Sequence, residues 1–188
     1  MTVAGLVLAA GAGRRFGGPK ALVELDGERL VDRMVRVLRA GGCQPLVVVA
    51  GAVPLAVSGA TVVDNPDWRT GMGSSLRSGL AALPDQASAA VVVLVDTPWI
   101  GPDAVGRLVQ AHATGAALAV ATYAGVRGHP VLLGRTHWRG AAASAVADSG
   151  ARTYLASNPN VVEVDCTGTG DPRDAAHPSQ IGGRSRGS

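Results

Sequence analysis

The chain has 188 residues and a formal net charge of +3, and 47% of its residues are hydrophobic although only 3% are aromatic. This length provides one domain with a buried core and is too short for two domains of ordinary size. The mild charge, without a basic stripe interleaved with aromatic residues, argues against nucleic-acid binding, and no apolar run reaches the roughly 20 residues that cross a bilayer.

Short apolar runs alternate with segments of helical periodicity along the N-terminal half. Residues 3–10 predict a buried strand that ends at a glycine cluster, and a loop follows it. A brief apolar stretch and an Asp-Gly turn come next. The remaining predicted elements of this half are a helix over residues 30–40, strands over 46–50 and 61–63, and a helix over 74–83.

The C-terminal half continues this alternation. Its predicted elements are strands over residues 89–95, 118–123, 131–133 and 161–164, and helices over 102–114, 141–147 and 151–156. Regular alternation of strands and helices indicates βαβ units with helices on both faces of the sheet. We therefore predict an α/β fold with three αβα layers and a mostly parallel, Rossmann-like sheet, which binds its ligands at the carboxyl ends of its strands.

A glycine-rich loop, GAGRRFGGPK over residues 11–20, follows the first predicted strand. Such a loop lets backbone N–H groups approach phosphate oxygens closely, and the cations of Arg14, Arg15 and Lys20 can neutralise a triphosphate. Two better-known loops fit poorly, because a dinucleotide-binding GxGxxG loop needs glycine at Phe16 and a P-loop needs Gly-Lys-Ser/Thr. A flexible turn without a ligand is the alternative interpretation.

The pattern LAAGxGxRxGxxK over residues 8–20 resembles nucleotidyltransferases of glycosyltransferase-A-like fold, and most closely the molybdenum-cofactor cytidylyltransferases among the MobA-like proteins. This resemblance covers residues 3–164. It implies that Arg15 and Lys20 act on the phosphates during the transfer. Guanylyl-transferring relatives have LAGG where this chain has LAAG. The resemblance therefore favours CTP, on the basis of a single residue, Ala10. The resemblance also assigns nucleotide contacts to Leu8, Ala9, Ala10, Gly11, Gly13 and Arg14.

Asp96 follows the strongest predicted strand, at the carboxyl edge where an open α/β sheet binds its ligand. Mg²⁺ usually takes one or two carboxylates from the protein and completes its shell with phosphates and water. The family has an aspartate at this place as metal ligand, so the resemblance implies that Asp96 is both catalytic and the ligand of Mg²⁺. A helix cap or a plain turn is the alternative.

The segment NPDWRTGMGSSLRSGL, residues 65–80, resembles NPxWxxGMxxSLxxGL in the molybdenum-cofactor branch. In that branch it lines the base and the ribose, and the matching candidates here are Gly71, Ser74 and Ser75. Small residues at a helix N-terminus leave N–H groups free and make room for a base. Simple capping of the helix by Ser74 is the alternative.

Two further segments resemble the acceptor-binding half of the branch: GVRGHPVLL (residues 125–133) matches GxxGxPvLf, and DSGARTYL (148–155) matches GDxGAR. The implied acceptor is a pterin dithiolene with a terminal phosphate, which Arg127, His129 and Arg152 would contact. For His129 a turn residue before proline is the alternative. No protein base is required, because a phosphate monoester is already an anionic nucleophile.

The segment GTGDPRDA departs from the family, which has DIDTPEDL there. Gly168 and Gly170 stand where the family has aspartates that help to hold the metal, and Asp171 or Asp165 could substitute. Beyond this segment the composition is that of a disordered tail. We therefore predict one nucleotidyltransferase domain over residues 1–174 and a flexible tail over 175–188.

The resemblance implies in-line transfer of CMP from CTP to molybdopterin with release of pyrophosphate, and a molybdoenzyme or its maturation factor as a further partner. The widely spaced cysteines, Cys43 and Cys166, and the lack of a signal peptide favour the cytoplasm. Three alternatives stay open: a non-catalytic carrier of nucleotide or cofactor, a transferase for a sugar or polyol phosphate and, most distantly, a Rossmann oxidoreductase.

Overall fold

The apolar run near the N-terminus forms an inner strand of a seven-stranded sheet, in a computed structural model that describes residues 1–182. The strands are β1 (Thr2–Leu8), β2 (Glu24–Leu25), β3 (Glu28–Arg29), β4 (Leu46–Ala50), β5 (Thr61–Asp64), β6 (Ala87–Leu94), β7 (Leu118–Tyr123), β8 (Val126–Gly134) and β9 (Val162–Asp165). The α-helices are α1 (Leu30–Ala40), α2 (Met72–Ala82), α3 (Pro102–Ala113), α4 (Trp138–Ser144) and α5 (Arg152–Ser157).

The strand order of the large sheet is β5-β4-β1-β6-β8-β7-β9. β1 pairs in parallel with both β4 and β6, and β5 and β9 are added in parallel at the two edges. Only β8 runs antiparallel to its neighbours β6 and β7. The carboxyl ends of β1, β4, β5 and β6 therefore meet at one edge of the sheet, where such sheets bind ligands.

Alternation along the buried strands supplies both faces of the sheet with apolar side chains. Along β1, Val3 and Val7 face a cluster that includes α1 and α3, whereas Leu6 and Leu8 face a cluster that includes α2, α4 and α5. Helices thus cover both faces. The predicted three-layer α/β fold with a mostly parallel sheet is confirmed.

The helix predicted over residues 30–40 and the strands predicted over 46–50 and 118–123 coincide with α1, β4 and β7. The largest difference is β8, which spans Val126–Gly134 where only residues 131–133 were expected. Its first half is polar and exposed, and it is held in the sheet by pairing with β7 after a register shift between Val120 and Ala121. The two-residue strands β2 and β3 form a hairpin where the sequence indicated a turn.

Residues 175–182 pack against the domain, whereas a flexible tail was expected from residue 175 onward. Ala175 and Ile181 are buried, and the N–H of Ala175 donates to the carbonyl of Asp96 at 2.7 Å. A short 3-10 helix, Pro178–Gln180, is capped by His177. The rest of the predicted tail, residues 183–188, lies outside the described residues. No helix within residues 1–182 has the length and apolar character to cross a membrane.

Candidate active site

A cavity of about 640 Å³ opens at the carboxyl ends of β1 and β6. Its walls come from the loop after β1, from the 3-10 helix Trp68–Thr70 with the start of α2, and from the residues after β6. Most of the residues predicted to bind nucleotide line it, namely Leu8, Ala10, Gly11, Gly13, Arg14, Arg15, Lys20, Gly71, Ser75 and Asp96. Ala9 is buried in the core and does not line the cavity.

Gly13 turns the loop after β1. Its φ is +60°, and its carbonyl accepts hydrogen bonds from the N–H groups of Phe16, Gly17 and Gly18. A Cβ atom at Gly13 would collide with the carbonyl oxygen of Gly18, so this position requires glycine. Gly11 has no atom within 4 Å of the place that a Cβ would take, which leaves its backbone open to a ligand.

Lys20 and Asp96 join the two sides of the cavity. Lys20 Nζ lies 3.3 Å from Asp96 Oδ2, and the two side chains are 18% and 28% exposed. The ammonium group also lies 5.6 Å from the ring centroid of Phe16, which is buried beneath the loop. The loop after β1 is therefore held to the end of β6 by a partly exposed ion pair.

The second carboxylate oxygen of Asp96, Oδ1, is buried and has no hydrogen-bond partner within residues 1–182. A buried carboxylate oxygen without a partner is costly unless something satisfies it. Asp96 thus fits a hard divalent cation that takes one protein carboxylate and finds its other ligands in phosphates and water. In the described part of the chain, no group of three or more His, Cys, Asp or Glu side chains is arranged to hold a metal ion by itself.

The residues expected to supply a second metal ligand are engaged elsewhere. Asp171 forms an ion pair with Arg173 at 2.8 Å, and Asp165 accepts two hydrogen bonds from Thr167. Neither lines the cavity. At Gly170, where the resemblance leads one to expect an aspartate, a Cβ would collide with the backbone of residues 99–101, so this backbone geometry admits only glycine.

The serines at the start of α2 have different surroundings. Asn65 is buried and donates to Ser74 Oγ at 2.9 Å and to Ser75 Oγ at 3.0 Å. The Ser74 hydroxyl also reaches the carbonyls of Asp67 and Gly71. Ser74 therefore fixes the turn before α2 and does not line the cavity, whereas Ser75 does.

A smaller cavity of about 180 Å³ adjoins the first and shares Met72, Leu94 and Asp148 with it. The three residues predicted to contact an acceptor, Arg127, His129 and Arg152, all line it. Arg127 donates from Nε to Glu163 Oε1 at 2.7 Å. Burial and the nearby charge of Arg152 lower the pKa of His129 to about 4, so this imidazole is neutral at physiological pH.

Asp148 was not among the predicted site residues. It lines both cavities, and a Cβ at Gly71 would approach its Oδ1 to 2.8 Å. The sequence could have pointed to Asp148, because this residue matches the aspartate of the GDxGAR segment. Gly71 has a φ of +113°, so glycine is required there both for the backbone and for this close approach.

Several known proteins are similar to this chain. A protein of Paenarthrobacter nicotinovorans named nicotine blue oxidoreductase is 37% identical over 180 residues, which cover 88% of this chain and 87% of that protein. The crystal structure of Rv0371c from Mycobacterium tuberculosis H37Rv superposes with a TM-score of 0.80 and 27% identity, covering 94% of this chain and 93% of that one. A second structure of Rv0371c, a complex with manganese, covers 89% of this chain and 90% of its own, with 27% identity and a TM-score of 0.75.

The same fold occurs in 2-C-methyl-D-erythritol 4-phosphate cytidylyltransferase from Thermus thermophilus, with a TM-score of 0.69, 21% identity and coverage of 96% of each chain. Residues 5–162 match the family described as the MobA-like NTP transferase domain. This match includes the glycine-rich loop, Asp96 and the residues of the second cavity. The chain therefore belongs to the family of MobA-like NTP transferases.

Proposed function

We propose that this protein is a cytoplasmic, magnesium-dependent cytidylyltransferase that transfers CMP from CTP to the terminal phosphate of molybdopterin. The observation that carries the proposal is the pairing of two adjoining cavities. The larger combines a cationic glycine-rich loop with Asp96, whose Oδ1 is buried without a partner among residues 1–182. The smaller contains Arg127, His129 and Arg152.

The residues of the larger cavity have different roles in binding the triphosphate. Arg14 and Arg15 neutralise phosphate charge, and the open backbone at Gly11 lets a phosphate approach N–H groups closely. Asp96 would hold Mg²⁺, which neutralises charge on the phosphates when it is bound. Lys20, at the end of this loop, lies beside Asp96. Its ammonium group can therefore neutralise the negative charge that develops on the α-phosphate.

The reaction is a substitution at phosphorus. An oxygen of the acceptor phosphate forms a bond to the α-phosphorus of CTP, and the bond from that phosphorus to the bridging oxygen breaks, which releases pyrophosphate. Catalysis consists of positioning and charge neutralisation. The neutral His129 can donate to or accept from the acceptor, and no proton has to be removed from an anionic phosphate monoester.

The choice of substrates rests on particular residues. Ala10 lines the cavity within an LAAG motif, which favours CTP over GTP by resemblance. The arginines of the second cavity suit an anionic acceptor. The manganese complex of Rv0371c supports a divalent cation, and Mg²⁺ fits the oxygen ligands present here. A molybdoenzyme or its maturation factor would receive the product.

The test of the acceptor is the mass of the product. Purified protein with CTP and Mg²⁺ is incubated separately with molybdopterin, with a sugar phosphate and with a polyol phosphate. We expect only molybdopterin to gain the mass of one cytidylyl group, which is CMP less one water. A gain of CMP by the sugar or polyol phosphate, with molybdopterin unchanged, would transfer the assignment to that class of acceptor.

A second candidate function is an oxidoreductase, because the relative with 37% identity over nearly the whole chain bears that name. Phe16, however, occupies the last glycine position of a dinucleotide-binding loop, which disfavours this candidate. The test is oxidation of NADH or NADPH in the presence of nicotine blue, the compound in that relative's name. Dye reduction at a rate dependent on the protein, without pyrophosphate release from any nucleotide, would favour this candidate.

A non-catalytic carrier is the third candidate, and the glycines at positions 168 and 170 favour it because they replace the family's aspartates. A carrier would bind CTP or molybdopterin without converting either. The carrier function would be supported if folded protein, supplied with Mg²⁺, bound both ligands at equilibrium and transferred no CMP.

A further inference from the structure

Three arginine guanidinium groups lie over tryptophan rings within residues 1–182, and only one of them faces the larger cavity. They are Arg69 over Trp68 at 4.5 Å, Arg135 over Trp138 at 5.0 Å, and Arg173 over Trp99 at 5.1 Å. Arg135 is paired with Asp85 at 2.7 Å, and Arg173 with Asp171 at 2.8 Å. Arg69 has neither a carboxylate nor a hydrogen-bond acceptor among the described residues, so all of its donors are free.

Trp68 is fixed in place, and it fixes Arg69 in turn. Its side chain packs against the end of β4, where a Cβ at Gly51 would lie 2.6 Å from Trp68 Cβ and 2.8 Å from Ala10 Cβ. The Arg69 guanidinium carbon lies 4.5 Å from the centroid of this ring, a contact that restrains the exposed group without using its N–H donors. Arg69 therefore presents a preoriented set of donors to the cavity.

The topology separates Arg69 from the phosphate-binding side of the cavity. Asp96 follows β6, on one side of β1, whereas Trp68 and Arg69 follow β5, beyond β4 on the other side. Arg14, Arg15 and Lys20 lie in the loop between them. Arg69 therefore lies on the far side of the cavity from Asp96, where the base of a nucleotide with its phosphates beside Asp96 and this loop has room to lie.

We propose that Arg69 determines base specificity by donating two hydrogen bonds to adjacent acceptors of the base, O2 and N3 of cytosine. This inference rests on the proposed cytidylyl transfer and adds a residue that the family pattern NPxWxxGM leaves variable. A guanidinium group offers donors only, in a planar fork. Cytosine presents two adjacent acceptors, and so does guanine with O6 and N7. Uracil places an N–H between its two carbonyls, and adenine places its amino donor beside both N1 and N7, so neither base offers two adjacent acceptors.

The experiment is equilibrium binding of CTP, GTP, ATP and UTP in the presence of Mg²⁺ and without acceptor, measured by calorimetry. The variants are Arg69→Ala, Arg69→Lys and, as a matched control, Arg135→Ala, which removes an arginine stacked on tryptophan outside both cavities. Thermal unfolding midpoints confirm that each variant is folded. Lys keeps the charge of Arg69 but lacks its fork, so it separates bidentate recognition from charge alone.

We expect Arg69→Ala to lower CTP affinity on the order of 10- to 100-fold and UTP affinity by less than about 3-fold. Arg69→Lys should not restore CTP affinity, and Arg135→Ala should bind as the wild type does. An equal loss for all four nucleotides, recovery in Arg69→Lys, or unchanged CTP affinity in Arg69→Ala would overturn this inference alone. A wild-type protein that binds none of the four nucleotides would overturn the proposed function itself.

Discussion

Lys20 Nζ lies 3.3 Å from one carboxylate oxygen of Asp96, while the other oxygen of that carboxylate is buried without a hydrogen-bond partner within residues 1–182. The two residues are 76 positions apart: Asp96 lies just after β6, and Lys20 lies at the far end of the loop that follows the neighbouring strand β1. One oxygen thus holds the glycine-rich loop to the end of β6, and the other is the atom that we propose binds a cation. This pair is the feature from which the proposed chemistry follows.

Replacing Asp96 by asparagine tests the cation site. Asp96→Asn keeps the shape of the side chain but removes the charge that would hold Mg²⁺, so pyrophosphate release should fall on the order of 10²- to 10³-fold. The unfolding midpoint should change little, because the side chain is partly exposed and one of its oxygens has no partner among the described residues. Asp171→Asn, outside the cavity, is the matched control. Full activity of Asp96→Asn would show that Asp96 does not hold the metal.

Lys20→Ala tests the role of the ammonium group. A cation lost beside the reacting phosphate should lower the rate on the order of 10²-fold or more. The cost in stability should be small, because a partly exposed ion pair contributes about 1 kcal/mol or less. Arg36→Ala, which breaks the surface pair with Glu28, is the control and should keep full activity. Wild-type turnover in Lys20→Ala, measured as pyrophosphate release, would exclude this lysine from the reaction.

Two glycines of the same loop should respond differently to alanine. Gly13→Ala forces a side chain into a conformation with φ of +60° against the Gly18 carbonyl, and we expect a loss of about 1–3 kcal/mol in the free energy of unfolding. Gly18→Ala meets no atom within 4 Å and should be nearly neutral. Urea unfolding measures both. Equal stability of the two variants would show that the turn at Gly13 relaxes without cost.

The sequence was sufficient to predict the layers of the fold and most of the residues that line the larger cavity. Apolar residues at helical spacing with arginines between them define α1, and unbroken runs of valine and leucine define β4 and β6. Because parallel strands end at one edge, the loop after β1 and Asp96 had to lie close together. Their separation of 76 residues in sequence does not matter for this inference.

The remaining features depend on tertiary contacts that local patterns do not encode. Ala175 and Ile181 lie in a segment of polar composition, and their burial comes from packing beside the end of β6 and the helical layer of α1 and α3. Ser74 looked like a ligand contact, but its hydroxyl is used by the turn before α2. Arg69 carries no motif signal, and only its stacking on Trp68 at the cavity distinguishes it from other surface arginines.

His129 should make the protein less stable in mild acid. Its ordinary pKa is 6.5, and burial and Arg152 lower it to about 4 in the folded state. The unfolded chain therefore takes up this proton first as the pH falls, so the stability associated with neutral His129 is present above pH 6.5 and decreases towards pH 4. His129→Gln should show a weaker loss of stability over this interval, measured by urea unfolding at several pH values.

The same histidine can be titrated directly by NMR. Arg152→Ala removes a nearby positive charge and should raise the pKa of His129, which nevertheless stays below 6.5 because burial remains the larger cause. Arg139→Ala, in α4 and outside both cavities, is the control. If Arg152→Ala leaves the pKa of His129 unchanged, the two side chains do not interact electrostatically. That result would weaken their assignment to one acceptor site.

The most direct test of nucleotidyl transfer is pyrophosphate release by the purified protein with Mg²⁺ and molybdopterin, with CTP, GTP, ATP and UTP offered in turn. We expect release with CTP that depends on Mg²⁺, on molybdopterin and on Asp96. Folded protein that releases no pyrophosphate from any of the four nucleotides, while it reduces a dye with NADH or NADPH, would contradict the assignment and establish the oxidoreductase in its place.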